Sequence, residues 1–351
     1  MKKGFAYLLV TTILALVAVL VFVPREYAVE NSAESVLLLT GLAARINDVD
    51  RVDIVTAGDM VVATLTRTAE DWQLEQMDGY HADWPKLQEL LAGLAQAKVV
   101  EVKTDKPRYY PQLGVDDVSS QDAESVLVKL SIGDDMTGIL IGHQAQGRAG
   151  QYVRLQDSAA SALLDRTLDV STEQLDWADK RIIDIKASEV AEVEIIHPEG
   201  ERVFVTRISA DQTDFDLVGL PQGRETQSSW AVNSFASSLS LLDLESVSSV
   251  DNVDWKAAVR MRLLMFSGLE IMADMVEADG QYLLRLNASH PAAQAVNYNN
   301  DDIAQQAAED VANRVDEINQ RVSGWAYGIA RYKFEAMVKT REDILKPVDN
   351  S

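Results

Sequence analysis

The sequence predicts an α+β protein: an N-terminal transmembrane helix, then two related modules of antiparallel sheet plus covering helix, then a C-terminal helix-strand-helix. Three observations predict it. A charge-free apolar run opens the chain, the order strand, strand, helix, several strands occurs twice after it, and helical spacing of apolar residues returns near the C-terminus.

Met1-Lys2-Lys3 is followed by a run without charge from Gly4 to Val23, closed by Pro24 and Arg25. At about 1.5 Å per residue this run spans roughly the 30 Å of a bilayer's hydrocarbon core. Lys2 and Lys3 place the tip, residues 1–3, in the cytoplasm and send the remainder across. A cleaved signal peptide would have a shorter apolar core, about 7–15 residues, and small residues at its cleavage site. Glu26-Tyr27-Ala28 lacks the small residue three positions before a cut, so a retained anchor over 4–23 and a juxtamembrane segment over 24–45 are expected.

The first module is expected over 46–180 and the second over 181–300. Val49-Asp50-Arg51-Val52-Asp53-Ile54-Val55 and Val190-Ala191-Glu192-Val193-Glu194-Ile195-Ile196 both alternate β-branched residues, the pattern of a half-buried strand. Turns with Gly58 and Gly200 follow, then a second alternating run at Val61, Ala63, Leu65 and at Val203, Val205. Trp72-Gln73-Leu74 and Phe215-Asp216-Leu217 come next. Both copies then change to helical spacing, through Leu87, Leu90, Leu91, Leu94 and through Val232, Phe235, Leu239, Leu242. Asp83 is the expected N-cap of the first helix, with Pro85 in its first turn. Alternation resumes at Val126, Val128, Leu130, Ile132 and at Val259, Met261, Leu263, Met265. Each copy ends on Gln-Tyr and an alternating run, Gln151–Leu155 and Gln281–Leu286. The parallel order suggests an internal duplication.

The C-terminal extension, 301–351, starts with an amphipathic helix through Ile303, Ala307, Val311, Val315, Ile318 and Val322, which Gly324 stops. Trp325, Tyr327 and Ile329 alternate as a short strand, and Arg331 to Leu345 reads as a final helix before Pro347.

Composition narrows the function. With no cysteine there is no disulfide scaffold, thiolate metal site or catalytic thiol. A net charge of -23 argues against nucleic acid and against docking of the soluble part on anionic lipid. His81, His143, His197 and His290 form no ligand-spaced pair, and the sequence has no nucleophile elbow, phosphate loop, dinucleotide fingerprint or zinc-protease motif. The loop from Gly142 to Gly150 is explained by a hairpin, and Asn299-Asn300-Asp301-Asp302 by helix capping rather than calcium. No catalytic, cofactor-binding or metal residue is assigned, and no cofactor is expected. The chain is expected not to be an enzyme.

Several stretches resemble a known bacterial family, domain of unknown function 4340. They are Leu42–Val49 before the first strand, Trp72-Gln73-Leu74, Gly79-Tyr80, Lys103-Thr104 leading to Tyr110 and Leu113-Gly114-Val115, Trp177–Ile183, and Gly324–Ile329. The resemblance covers roughly residues 35 to 345. It implies a membrane-tethered, extracytoplasmic protein, and for some members an auxiliary part of an ABC-type transport system of the gliding-motility kind. The expected function is therefore a non-enzymatic accessory subunit in the inner membrane, with its bulk periplasmic and a permease and ATPase as partners. The alternatives are a module binding envelope glycans or peptides in a cleft between the modules, and a hydrolase using paired carboxylates.

Overall fold

The computed structural model describes residues 36–291 and 301–347, with side chains from residue 305 onward in the latter segment. The anchor expected over 4–23, the tip and most of the juxtamembrane segment lie outside the described residues. Among the described residues no helix is long and apolar enough to cross a membrane.

The strands are β1 (Val36–Leu37), β2 (Arg51–Thr56), β3 (Met60–Arg67), β4 (Trp72–Leu74), β5 (Tyr80–His81), β6 (Lys98–Val102), β7 (Val126–Ile132), β8 (Asp135–Gln144), β9 (Gln151–Leu155) and β10 (Ser161–Leu164) in the first sheet. The second sheet holds β11 (Arg181–Ile183), β12 (Val190–Ile196), β13 (Arg202–Thr206), β14 (Asp216–Leu217), β15 (Leu242–Ser249), β16 (Val259–Met265), β17 (Glu270–Ala278), β18 (Gln281–Ser289) and β19 (Trp325–Ile329). The helices are α1 (Leu42–Arg45), α2 (Trp84–Gln96), α3 (Tyr110–Leu113), α4 (Ser229–Asn233), α5 (Asp301–Val322) and α6 (Arg331–Met337). The protein is thus α+β, with two antiparallel sheets and few helices.

The two sheets repeat one topology. The first runs β1-β6-β10-β9-β8-β7-β2-β3-β4-β5 and the second β11-β15-β19-β18-β17-β16-β12-β13-β14. Read position by position, each strand of the second has its counterpart in the first at the same place in chain order. Two departures stand out. β5 has no counterpart beyond β14, and the short link from β9 to β10 is replaced between β18 and β19 by a long excursion containing α5. Because β19 lies between β15 and β18, the second sheet takes in residues 325–329 from the expected C-terminal extension. Likewise β1 draws residues 36–37 into the first sheet, pairing Val36 with Val99.

Alternation explains both faces. Val193 and Ile195 face the core, while Glu192 and Glu194 lie on the opposite face and pair with Arg262 at 3.0 and 3.4 Å, Glu194 being buried there. Under the first sheet, Leu87, Leu90, Leu91 and Leu94 of α2 bury the helix's apolar stripe. Asp83 caps α2, accepting from the Lys86 N–H at 3.0 Å. Gly324, at φ +85°, follows α5 in the left-handed conformation that glycine takes without strain.

Two helices are shorter than their spacing predicts. α4 ends at Asn233, although Val232, Phe235 and Leu239 are all buried. The serines beyond it turn their hydroxyls onto the backbone: Ser234 to the Ala231 carbonyl, Ser237 to Ser234, Ser238 to Phe235. The main chain continues in tight i→i+3 turns that keep the same face buried. The final helix stops at Met337, since the Thr340 N–H and hydroxyl both bond to Asp343, at 2.8 Å each, starting a new turn at Glu342–Ile344.

Candidate binding cleft at the module junction

The β3–β4 turn, β5 and the start of α2 form one corner of the first module. Thr68 and Asp71 close the turn, the Thr68 N–H donating to the Asp71 carbonyl at 2.8 Å and the Thr68 hydroxyl to the Asp71 carboxylate at 2.9 Å. The other carboxylate oxygen pairs with His81 Nδ1 across the β4–β5 ladder. Trp72 and Trp84 stack nearly parallel, 6.4 Å apart at 13°. Trp72 is buried and Trp84 is 45% exposed.

The second module covers this corner. Tyr80 lies edge-on to Trp325 at 5.1 Å and to Tyr327 at 6.1 Å, and its hydroxyl donates to the Asp179 carbonyl at 3.1 Å. Burial, reinforced by the Asp179 carboxylate, pushes the Tyr80 hydroxyl up to about 12. Arg321, in the last turn of α5, is held by the Asp179 carboxylate at 2.6 Å and the Arg181 carbonyl at 2.9 Å. Between α5 and the corner remains a cleft of about 770 Å³, whose lining includes Arg67, His81, Trp84, Glu317, Gln320 and Arg321. That volume suits a short peptide or a small oligosaccharide.

The cleft offers a half-exposed indole face beside fixed donors and acceptors. Its strongest polar groups are tied to each other: Asp71 to Thr68 and His81, Asp179 to Arg321. A nucleophilic hydroxyl would have to sit on the imidazole, whereas Thr68 sits on the carboxylate.

Of the four histidines, only His81 lines this cleft. His143 pairs with Glu124 at 2.8 Å, and buried His197 lies 3.4 Å from the Lys339 carbonyl. Among the described residues no cluster could hold a metal ion. The Gly142–Gly150 loop is the β8–β9 hairpin, and a Cβ at Gly142 would stand 2.4 Å from the Leu113 carbonyl, which accounts for glycine there by packing. Asn299 and Asn300 lie outside the described residues, and Asp301 and Asp302 begin α5.

Sequence reasoning assigned none of the cleft residues, because they join segments far apart in the chain. One signal pointed there. Four of the stretches that carry the family resemblance, Trp72–Leu74, Gly79–Tyr80, Trp177–Ile183 and Gly324–Ile329, meet at this junction. A family model described as a domain of unknown function (DUF4340) matches residues 72–259, from β4 to the first residue of β16. No curated protein and no solved structure gives a match.

Proposed function

The chain belongs to the domain of unknown function 4340 family, and from that premise we propose that it is a non-enzymatic accessory subunit of an ABC-type transport or related cell-envelope complex. In this reading residues 4–23 anchor it in the inner membrane and the two modules, products of an internal duplication, stand on the periplasmic side. A permease and an ATPase are its partners. Gly4, Ala6, Thr11, Thr12, Ala15 and Ala18 would let the anchor approach permease helices closely.

The observation that carries the proposal is the cleft, where two modules jointly hold an exposed indole face over polar groups already paired with one another. Such a surface suits holding a polypeptide segment in place. The test is recovery of the full chain from membranes in mild detergent, beside its Trp84→Ala variant. The wild type should bring down a permease and an ATPase and the variant much less of both. A wild-type chain recovered alone would overturn the proposal.

The stacked Trp72 and Trp84 favour a second reading, in which the cleft holds an envelope glycan or peptide. A panel of muropeptides and glycans should then raise the melting temperature of the wild type saturably and leave Trp84→Ala unmoved. No shift with any of them would discard this reading.

A further inference from the structure

The corner that forms the cleft exists twice, and only one copy is finished. In the first module β5 lies along the outer edge of β4, where the Ala82 N–H reaches the Trp72 carbonyl at 2.8 Å and the Gly79 N–H the Leu74 carbonyl at 3.0 Å. The next segment then bridges Ala82 with Ala178, and α5 and β19 close over it. The second module repeats the early steps. Thr226 bridges Leu345 just before α4, as Ala82 bridges Ala178 just before α2, and the turn Glu342–Ile344 precedes this bridge as Gln174–Trp177 precedes the other.

The later steps are missing. β14 is the outermost strand of its sheet. Antiparallel alternation turns the Phe215 and Leu217 carbonyls outward, as it does those of Trp72 and Leu74. Among the described residues neither accepts a backbone hydrogen bond across that edge. The Phe215 N–H is taken by the Asn233 side chain of α4 at 2.9 Å. One turn earlier on that helix, Trp230 is 74% exposed, where Trp84 in the first module is partly covered. Val218 and Leu220, at 41% and 43%, extend the apolar surface beyond β14.

Charge specifies what completes it. Asp211 and Asp214 precede β14 in the chain and Asp216 lies on it, and among the described residues none of the three is in a salt bridge. The nearby cations are engaged: Arg224 with Glu342, Arg341 with the Gly219 and Arg202 carbonyls, Lys346 with Glu225. The Lys339 ammonium already lies 5.7 Å from the Trp230 ring centroid, so the ring receives a cation in the chain itself.

We propose that the open edge of β14 takes an added strand from a partner polypeptide, an extended segment alternating apolar and basic residues, with its apolar side chains against Trp230, Val218 and Leu220. The partner's backbone supplies what β5 supplies in the first module, and its lysines or arginines answer the acidic rim. This site is separate from the cleft and does not rest on the transport reading.

The full chain in detergent tests it with three capped hexapeptides: alternating Lys-Val, alternating Lys-Pro with equal charge but no strand-forming N–H at proline, and alternating Glu-Val. Binding is followed by Trp fluorescence and by amide hydrogen exchange. The Lys-Val peptide should bind saturably and slow exchange at Leu217. Both other peptides, and the Lys-Val peptide on Trp230→Ala or Val218→Ser, should bind at least about tenfold more weakly. Both substituted residues are exposed, and circular dichroism checks that the variants remain folded. Equal binding by the Lys-Pro peptide would reduce the effect to bulk charge and overturn the proposal. So would protection confined to other segments, or undiminished affinity in both variants, or no binding at millimolar peptide.

Discussion

The Tyr80 hydroxyl donates to the Asp179 carbonyl while its ring meets Trp325 and Tyr327, so one side chain serves both modules. Removing the hydroxyl in Tyr80→Phe leaves that carbonyl without its donor and should cost about 1 kcal/mol. The variant also carries a pH signature. Burial and the Asp179 carboxylate raise Tyr80 to about 12, and burial raises Tyr327 as well. An unfolded tyrosine ionises near 10, so above that pH the unfolded chain has lost protons that the folded chain keeps. Stability is unaffected below about pH 10 and falls as pH rises toward 12, by about 1.4 kcal/mol per pH unit for each such group. Urea unfolding between pH 8 and 11 should show a shallower alkaline loss in Tyr80→Phe than in the wild type. Identical slopes would mean the buried hydroxyl does not contribute.

At the scale of elements, α2 shows what a short stretch of sequence can dictate. Asp83, Pro85 and the leucine stripe fix its start and its buried face. Asp83→Ala removes the bond to the Lys86 N–H and should cost about 1 kcal/mol, while Asp83→Asn, which still accepts, should recover most of it. Thermal unfolding of the two variants checks this, and equal losses would locate the role of Asp83 elsewhere. α5 and its Gly324 stop were legible by the same signals. α4 and α6 were not legible to their ends. Apolar spacing reports which face is buried, and a run of tight turns buries Phe235 and Leu239 on the same side as a helix would. The information that breaks α4 is in the serine hydroxyls, and that breaking α6 is in the Thr340–Asp343 pair. β6 escaped notice because much of it is exposed, which erases the alternation that marks a strand.

For the whole molecule, the repeat of strands was legible because each copy repeats the same local patterns, whereas the cleft depends on where two distant segments come to rest. Nothing local ties Asp71 and His81 to Arg321; they come to line one cleft when α5, inserted between β18 and β19, crosses the first module's corner. The same crossing joins the cores of the two modules. Val55, Val118, Leu127 and Leu140 form a small separate cluster, while most of the modules' buried residues join one large cluster that includes Leu65, Leu87, Tyr80 and Trp177 of the first module and Tyr327, Leu263 and Ile271 of the second. Trp177 stands in the middle of it: fully buried, with its indole N–H on the Ser171 carbonyl at 3.0 Å, its own carbonyl accepting from the Asp83 N–H at 2.7 Å, and the Lys86 ammonium over its ring. A cluster shared in this way should melt in one step, so near- and far-ultraviolet circular dichroism of the full chain should follow the same urea transition. Trp177→Ala removes a large ring from the middle and should cost about 3–5 kcal/mol. If the modules are coupled as their packing indicates, that variant lowers the midpoint for amides in β2 and in β17 alike when hydrogen exchange is read at increasing urea. Two separate transitions, with only the β2 amides displaced, would show instead that each sheet stands on its own and that the junction is a contact between independent bodies.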